Sequence, residues 1–259
     1  MSRTATLATR LETHLRELRL PAFREAYEEE ARRAEAESFS YEQYLLELVQ
    51  RECEDRRQHR VERNLRASRL PTDKTLSGFD LKRLPTKVRQ QVQSLTDGAF
   101  LKRCENVLAF GNPGSGKTHL LCGLGQELIR NGYRVYFASC GLLVQDLLIA
   151  KRELKLTRVL KRLSKFDVLI LDDIGYVQQN RDEMEVLFTL LAERYEMGSV
   201  MITSNLPFSK WETIFKDPMT TAAAIDRLVH HSVILELNLP SYRMTTAKQR
   251  SQKEKEKKI

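Results

Sequence analysis

The sequence predicts an α/β fold with a five-stranded parallel sheet, preceded by a small all-helical domain. From Asn106 onward, short apolar runs alternate with segments of helical periodicity, which is typical of parallel strands joined by crossover helices. Before residue 71, leucine and aromatic residues recur at helical spacing among many Glu and Arg residues. We therefore expect a helical domain over residues 1–70, a linker over 71–84, an α/β domain over 85–240 and a basic tail over 241–259.

The helical domain is expected to hold three helices. Leucines at positions 7, 11, 15 and 18 mark the first helix. Pro21 favours the start of a second helix, because the N–H that proline lacks has no partner in a first turn. Ser40 and Gln43 form a capping-box pattern for a third helix that reaches about residue 67. Pro71, Gly78 and the polar residues between them predict the linker, and a helix follows over residues 85–95.

The α/β domain is expected to hold five short strands with helices between them. Their predicted ranges are 107–110, 134–138, 168–171, 200–203 and 233–237. After the fifth strand, the last twelve residues read KQRSQKEKEKKI and are almost all polar or basic. Such a composition cannot bury an apolar surface, so we expect this tail to be disordered.

Composition excludes several classes of protein. The 259 residues are 41% apolar and 30% charged, which is typical of a soluble globular chain. No apolar run approaches the roughly 20 residues that span a bilayer, and the first 20 residues lack a secretory signal. We therefore expect a cytoplasmic protein with no membrane partner. The four cysteines lack a C-x-x-C pair and predict free thiols. The net charge of +8 suits a polyanionic partner but fits a solvated surface equally well.

A phosphate-binding loop is the most specific motif in the chain. Residues 111–118 read GNPGSGKT, which matches G-x-x-x-x-G-K-[ST] between a predicted strand and a predicted helix. Its glycines let backbone N–H groups point inward, and the helix N-terminus favours an anion. Lys117 is expected to reach the β and γ phosphates of ATP, and the Thr118 hydroxyl to bind Mg²⁺. The predicted nucleotide-binding residues are Gly111, Asn112, Pro113, Gly114, Ser115, Gly116, Lys117, Thr118 and His119, although packing is an equally simple role for His119.

Polar residues at the ends of the third and fourth strands complete the predicted site. The sequence VLILDDIG places Asp172 and Asp173 where a buried strand ends, which predicts Asp172 as a Mg²⁺ ligand and Asp173 as the group that polarises the attacking water. The alternative is a pair of solvated turn residues. In a sheet of order 5-1-4-3-2 the fourth strand lies beside the third, so Asn205 would project next to Asp173 and orient the water. The alternative is a polar loop residue ahead of Pro207.

A basic segment lies between the second and third strands. On a single helix over residues 151–165, five cations would share one narrow arc, and leucine and valine residues would occupy the other side. A basic stripe with an apolar back is suited to contact with phosphates, although a solvated face is the simpler alternative. The predicted DNA-binding residues are Lys151, Lys155, Arg158, Arg162 and Lys165.

These motifs together resemble the AAA+ ATPase core. More closely, the segments TLSGFD, GNPGSGKTHL, LILDDIG, VMITSNLPFSKW and AAAIDRL resemble the IstB branch of the IstB and DnaC-like proteins. The resemblance implies an ATPase that self-assembles with ATP on double-stranded DNA and works with a cognate transposase. It also implies that no C-terminal lid domain follows the sheet, with Arg243 as a possible substitute for the arginine that such a lid supplies.

The resemblance further implies an arginine that reaches the nucleotide of a neighbouring subunit. Arg227 in AAAIDRL is the first candidate, with Arg194 as its rival, and the simpler alternative is a surface ion pair for Arg227. The predicted catalytic residues are thus Lys117, Asp173, Asn205 and Arg227. Most AAA+ enzymes carry Glu where this chain has Asp173, which is one methylene shorter, so we expect slow hydrolysis.

Three other functions fit parts of the sequence. The ATPase core does not separate a transposition helper from a DnaC-like replicative helicase loader, because the two differ in their partners. A P-loop kinase for a small metabolite is disfavoured by Asp173, Asn205 and the basic segment. A DNA-bridging protein without enzymatic activity is disfavoured by the intact GKT sequence and the paired acids.

Overall fold

A computed structural model describes residues 3–174, 181–211 and 218–241 of the chain. The chain divides into two compact units, Met1–Arg63 and Asn64–Ile259. The segment 64–70, assigned to the helical domain from the sequence, therefore belongs to the second unit. Arg243 and the basic tail from residue 242 lie outside the described residues.

The first unit is helical, as the sequence predicts. It contains α1 (Arg3–Glu17), α2 (Pro21–Ala36) and most of α3 (Tyr41–Ser68). The capping box before α3 is confirmed, because the Ser40 N–H donates to Gln43 Oε1 at 2.9 Å and the Gln43 N–H donates to Ser40 Oγ at 3.2 Å. Glu52 is buried and accepts the N–H of Ala22 at 2.9 Å, which ties α2 to α3. Buried apolar residues in this unit are Leu15, Ala22, Ala26 and Leu48.

The second unit is a parallel sheet with its connecting helices. Before the sheet lie α4 (Thr86–Leu95) and α5 (Ala99–Lys102). The strands are β1 (Asn106–Phe110), β2 (Val135–Ser139), β3 (Val168–Asp172), β4 (Ser199–Ser204) and β5 (Ser232–Glu236). Between them lie α6 (Lys117–Arg130), α7 (Cys140–Arg152), α8 (Leu156–Leu163), α9 (Arg181–Arg194) and α10 (Pro218–Val229). Every strand pair is parallel and the order is β2-β3-β4-β1-β5, which confirms the predicted sheet.

The core of this unit explains why the short apolar runs in the sequence predict the strand positions. Residues 107–109 and 168–171 are buried, as are all of β4, so the inner strands are apolar on both faces. The core joins these strands to α7, α9 and α10 around Trp211, which is fully buried. Within the described residues no helix follows β5, and none of the described helices has the length and apolar character needed to cross a membrane.

The predicted linker over residues 71–84 is packed against α6. The Gln126 side-chain amide donates to the carbonyl oxygens of Pro71 at 2.9 Å and Lys74 at 3.3 Å. His119 Nε2 lies 2.8 Å from the Thr75 carbonyl oxygen, and a Cβ atom at Gly123 would lie 2.7 Å from the backbone N of Leu76. Side chains of α6 thus satisfy carbonyls in the first half of this segment, where no regular helix or strand does so.

The prediction of one continuous helix over residues 151–165 is wrong. Helix α7 ends at Arg152, and Leu154 adopts a left-handed conformation with φ 58° before α8 begins at Leu156. The end of α7 is closed by hydrogen bonds from Leu154 N to Lys151 O at 3.1 Å and from Lys155 N to Ala150 O at 2.7 Å. The apolar side persists, since Leu163 is fully buried, but the five cations do not share one helical stripe.

Candidate nucleotide-binding site

The phosphate-binding motif folds as a loop between β1 and α6, as predicted. Gly114 and Gly116 adopt φ values of 79° and 95°, and a Cβ atom at Gly116 would lie 2.7 Å from Phe79 Cε2. Any other residue at Gly116 would therefore be strained and would displace Phe79. Lys117 is 6% exposed, and its Nζ donates to the carbonyl oxygens of Gly111 at 2.8 Å and Asn112 at 3.0 Å. The loop thus curls around the ammonium group of its own lysine.

The predicted nucleotide-binding residues are contiguous in this structure. Residues 111–116 form the loop, whereas Lys117, Thr118 and His119 lie in the first turn of α6. Ser115 is buried, and its Oγ has no hydrogen-bond partner among the described residues. His119 packs against the Phe79 ring at a centroid distance of 5.5 Å, so its packing role holds.

A chain of hydroxyl and carboxylate groups connects the loop to the sheet. Thr118 Oγ1 donates to Asp172 Oδ1 at 2.8 Å, and Thr203 Oγ1 donates to the same oxygen at 2.7 Å. The Asp173 N–H in turn donates to Thr203 Oγ1 at 2.8 Å. Asp172 therefore lies beside the P-loop threonine, and the Thr203 hydroxyl contacts the Asp172 carboxylate and the Asp173 backbone.

Thr203 is a residue of the candidate site that the sequence analysis did not single out. It is fully buried on β4, where a hydroxyl requires a partner. Because β4 pairs with β3, a buried polar residue near the carboxyl end of β4 lies near the acid that ends the neighbouring strand. The polar residue inside the apolar run VMITSN was the available signal.

Asp173 and Asn205 follow the ends of adjacent strands. Strands β3 and β4 are paired, with Leu171 opposite Ile202, so the chain leaves the sheet at the same edge in both cases. Asp173 has a left-handed backbone with φ 60°, a conformation that costs free energy in a non-glycine residue and is common at functional sites. Asn205 Oδ1 is buried and has no hydrogen-bond partner among the described residues.

The donor set fits Mg²⁺. Thr118 and Asp172 offer a hydroxyl and a carboxylate oxygen, and a hard cation prefers oxygen ligands from few side chains together with water and phosphate. In the parts of the chain that the structure describes, no group of three or more His, Cys, Asp or Glu residues could hold a metal.

Two buried cysteines flank this region without taking part in it. Burial raises the pKa of Cys122 on α6 and of Cys140 on α7 to about 12, so both are protonated thiols near neutral pH. All four cysteines are free, which confirms the sequence-based prediction.

The two candidate arginines lie near the opposite edge of the sheet. Arg227 on α10 and Arg194 on α9 both line a cavity of about 200 Å³ next to Asn106, where β1 begins. Arg194 is buried and donates to the carbonyl oxygens of Phe166, Asp167 and Ser199 at 2.8–2.9 Å. Burial lowers the Arg194 pKa. The Arg227 guanidinium lies 4.8 Å from the Phe188 ring centroid, and its Nη1 has no hydrogen-bond partner within the described ranges.

The basic residues lie around the junction of α7 and α8, and all of them except the partly buried Lys151 are exposed. Lys151 belongs to α7 and forms an ion pair with Glu185 at 2.8 Å, whereas Lys155 precedes α8 and pairs with Glu153 at 2.8 Å. Arg158 and Arg162 lie on α8, and Lys165 follows it. The structure thus brings the phosphate loop, Asp172 and Asp173 together and leaves the basic residues as a separate surface of the same unit.

Comparison with known proteins places this geometry in a family. The model of the IstB-like ATP binding protein family matches residues 13–251, which is most of the chain. The chain belongs to this family. Curated relatives match this chain along most of their length. A Sinorhizobium fredii "Putative insertion sequence ATP-binding protein" is 42% identical over 92% of this chain and 80% of its own. A Geobacillus stearothermophilus "Insertion sequence IS5376 putative ATP-binding protein" is 34% identical over 95% of this chain and 98% of its own.

Solved structures show the AAA+ fold of this IstB family member. A structure described as the DnaC helicase loader aligns over 64% of this chain and 97% of its own, with a TM-score of 0.56 and 19% identity. AMPPCP-bound DnaA from Aquifex aeolicus aligns over 72% of this chain and 57% of its own, with a TM-score of 0.56 and 19% identity. The chain is therefore an ATPase of the IstB family with an AAA+ core.

Proposed function

We propose that this ATPase binds ATP with Mg²⁺, assembles on double-stranded DNA, and recruits or activates a cognate transposase in insertion-sequence transposition. The observation that carries the proposal is the pairing of an intact phosphate site with a basic surface on the same unit. The relatives named as insertion sequence ATP-binding proteins support the biological context. The DNA-binding and transposase steps go beyond what those names state.

In the phosphate site each residue has a distinct task. Lys117 offsets the charge of the β and γ phosphates, while Thr118 and Asp172 provide oxygen ligands for Mg²⁺. Asp173 polarises the attacking water, and the Asn205 amide orients it against the γ-phosphate. Because the Asp173 side chain is short, hydrolysis is slow and responds to assembly. A bound Mg²⁺ supplies charge neutralisation for the phosphates at this site.

Arg227 supplies the arginine for a neighbouring subunit's nucleotide. It lies near the start of β1, and the phosphate loop follows the end of that strand, so the length of the strand, roughly 13 Å, separates the two regions within one subunit. An arginine so placed suits a nucleotide held by another copy, where it would stabilise charge on the γ-phosphoryl oxygens. The rival Arg194 is disfavoured, because its guanidinium already binds three carbonyl oxygens inside the fold.

Duplex DNA binds through the basic surface of residues 151–165. This segment holds seven Lys or Arg residues and one acid, Glu153, and Arg158 and Arg162 are exposed on α8. Each phosphate contact that is lost should reduce the slope of log affinity against log salt by about 0.9. Replacing Arg158 and Arg162 by Ala should therefore lower the slope by about 1.8 and weaken binding similarly for unrelated DNA sequences.

Titration of the full chain with fluorescent duplex DNA at several salt concentrations, with ATP and Mg²⁺, tests this step. A matched control replaces the exposed Lys82 and Lys87 by Ala, which removes the same charge elsewhere. Equal slopes for wild type and the Arg158/Arg162 variant would refute the DNA assignment.

Capture of purified transposase, and not of replicative helicase, by the ATP-bound protein on DNA distinguishes the transposition role from a DnaC-like loader.

A further inference from the structure

The turn between α7 and α8 presents an apolar side chain to solvent. Leu154 is 95% exposed, the highest value among the large apolar residues described as exposed. It is also in the left-handed region, with φ 58°. Among the described residues, the other non-glycine positions with positive φ are polar, charged or the partly buried Cys104.

Folding alone does not explain a leucine here. Leu154 follows the C-cap of α7, the position where glycine or asparagine usually adopts the left-handed conformation at little cost. Its side chain gains almost nothing from burial. Glycine would form the same turn with less strain, so leucine at this position points to a contact outside the folded chain.

The backbone at Leu154 is held in place. Hydrogen bonds from Leu154 N to Lys151 O and from Lys155 N to Ala150 O fix the turn. On either side the helices are anchored in the core, with Leu147 of α7 and Leu163 of α8 fully buried. Leu154 is therefore an apolar tip on a fixed backbone turn.

Cations surround this tip. Glu153 and Lys155 flank it in sequence and form an ion pair at 2.8 Å, while Arg152, Arg158, Lys161 and Arg162 lie close in sequence and are exposed. Leu154 lines one open surface region together with five cationic residues: Lys155, Arg158, Lys161, Arg162 and Lys165. Positive charge of this density is complementary to a polyanion. An apolar occupant without charge, such as a protein core helix, would bring no anionic group to Arg158, Lys161, Arg162 and Lys165.

We propose that Leu154 is a wedge that inserts between adjacent base pairs of duplex DNA, unstacks that step and bends the duplex. The surrounding cations hold the phosphates on either side while the wedge acts. Leucine is among the apolar side chains that proteins insert in this way. The free-energy cost of unstacking is offset by the additional protein surface that bent DNA contacts. The inference rests on the proposed DNA binding and adds to it a residue and a deformation.

The test uses the full chain with Mg²⁺, a non-hydrolysable ATP analogue and a duplex that carries a dye at each end. A second duplex carries 2-aminopurine, whose fluorescence rises when its base is unstacked. We expect wild type to bring the dyes closer and to raise 2-aminopurine fluorescence. Leu154→Gly should abolish both signals and weaken binding about tenfold, because the buried leucine contact is lost. Its salt slope should be unchanged, since no phosphate contact is removed.

Control variants separate the wedge from other roles. Leu154→Gly should unfold at the same temperature as wild type or higher, which excludes misfolding as the cause. Leu154→Met should keep bending, whereas Leu154→Asn, which tolerates the turn but is polar, should lose it. Leu142→Ala removes another exposed leucine, on α7, and should behave as wild type.

The possible outcomes are distinct. Bending and 2-aminopurine signals that survive in Leu154→Gly would overturn the wedge and leave DNA binding intact. A smaller ATP-dependent oligomer of Leu154→Gly in the absence of DNA would assign the residue to a contact between copies and also overturn the wedge. If wild type shows no salt-dependent binding to the duplex, the proposed function fails and the wedge fails with it.

Discussion

The Thr203 hydroxyl is expected to hold both acidic residues of the candidate site, and its removal tests that role directly. Thr203→Val keeps the shape of the buried side chain but deletes the hydrogen bond to Asp172 Oδ1 and the one from the Asp173 N–H. A hydrogen bond to a charged group contributes about 1.5–3 kcal/mol and a neutral one about 1 kcal/mol. We therefore expect the free energy of unfolding to fall by about 2–4 kcal/mol.

Catalysis should suffer more than nucleotide binding in the same variant. Lys117 and the loop backbone still bind phosphate, whereas the Asp173 backbone loses the partner that supports its left-handed conformation. Urea denaturation measures the stability, and steady-state ATP hydrolysis with DNA, together with binding of a fluorescent ATP analogue, measures the rest. Thr203→Ser keeps the hydroxyl and should lose less than half as much stability and hydrolysis. Equal behaviour of the Val and Ser variants would refute the argument.

Three further predictions concern other residues. Asp173→Asn should bind ATP but hydrolyse it much more slowly and leave longer-lived complexes on DNA, as measured by turnover and by dissociation rate; rapid turnover would contradict its role. Arg227→Ala should lose ATP-driven oligomerisation and hydrolysis while its monomer binds ATP, and mixing it with Lys117→Ala should restore some activity because each keeps the half-site that the other lacks. Between about pH 9 and pH 12 the free energy of unfolding should fall, because the thiols ionise near pH 9 in the unfolded chain while burial holds the pKa of Cys122 and Cys140 at about 12 in the folded one. Urea denaturation at several pH values measures this fall, which should be shallower when both cysteines are replaced by Ala.

The sheet could be predicted from the sequence because its signals were local and redundant. Inner strands of a parallel sheet are buried on both faces, so β1, β3 and β4 each hold at least three consecutive apolar residues. The GNPGSGKT motif then fixed which strand precedes the phosphate loop. The acids at Asp172 and Asp173 followed from the same logic, since two carboxylates at the end of a buried strand require a partner.

The break at Leu154 could not be predicted in the same way. Residues 151–165 satisfy helical periodicity throughout, and α8 keeps its apolar residues on one side. A leucine in the left-handed conformation carries no compositional signal, because the turn is normally marked by glycine. Similarly, the segment 71–84 has the composition of a linker, and only the structure shows that Gln126 and His119 bind its carbonyl groups. Contacts between distant parts of the chain position this second segment, whereas the turn at Leu154 is closed by local backbone hydrogen bonds.

Strands β3 and β4, which carry the candidate catalytic groups, are held together by side chains near both ends. Near their amino ends the Arg194 guanidinium donates to the carbonyl oxygens of Asp167 and Ser199 at 2.8 and 2.9 Å. At their carboxyl ends Thr203 bonds to Asp172 and Asp173. With contacts near both ends, the Asp172 carboxylate and the Asp173 backbone occupy their positions before a nucleotide binds. Such preorganisation means that these polar groups need to move little when charge develops on a bound phosphate. A slow rate in this chain would then reflect the short reach of Asp173 and the need for a second subunit's arginine, and not a loosely built site.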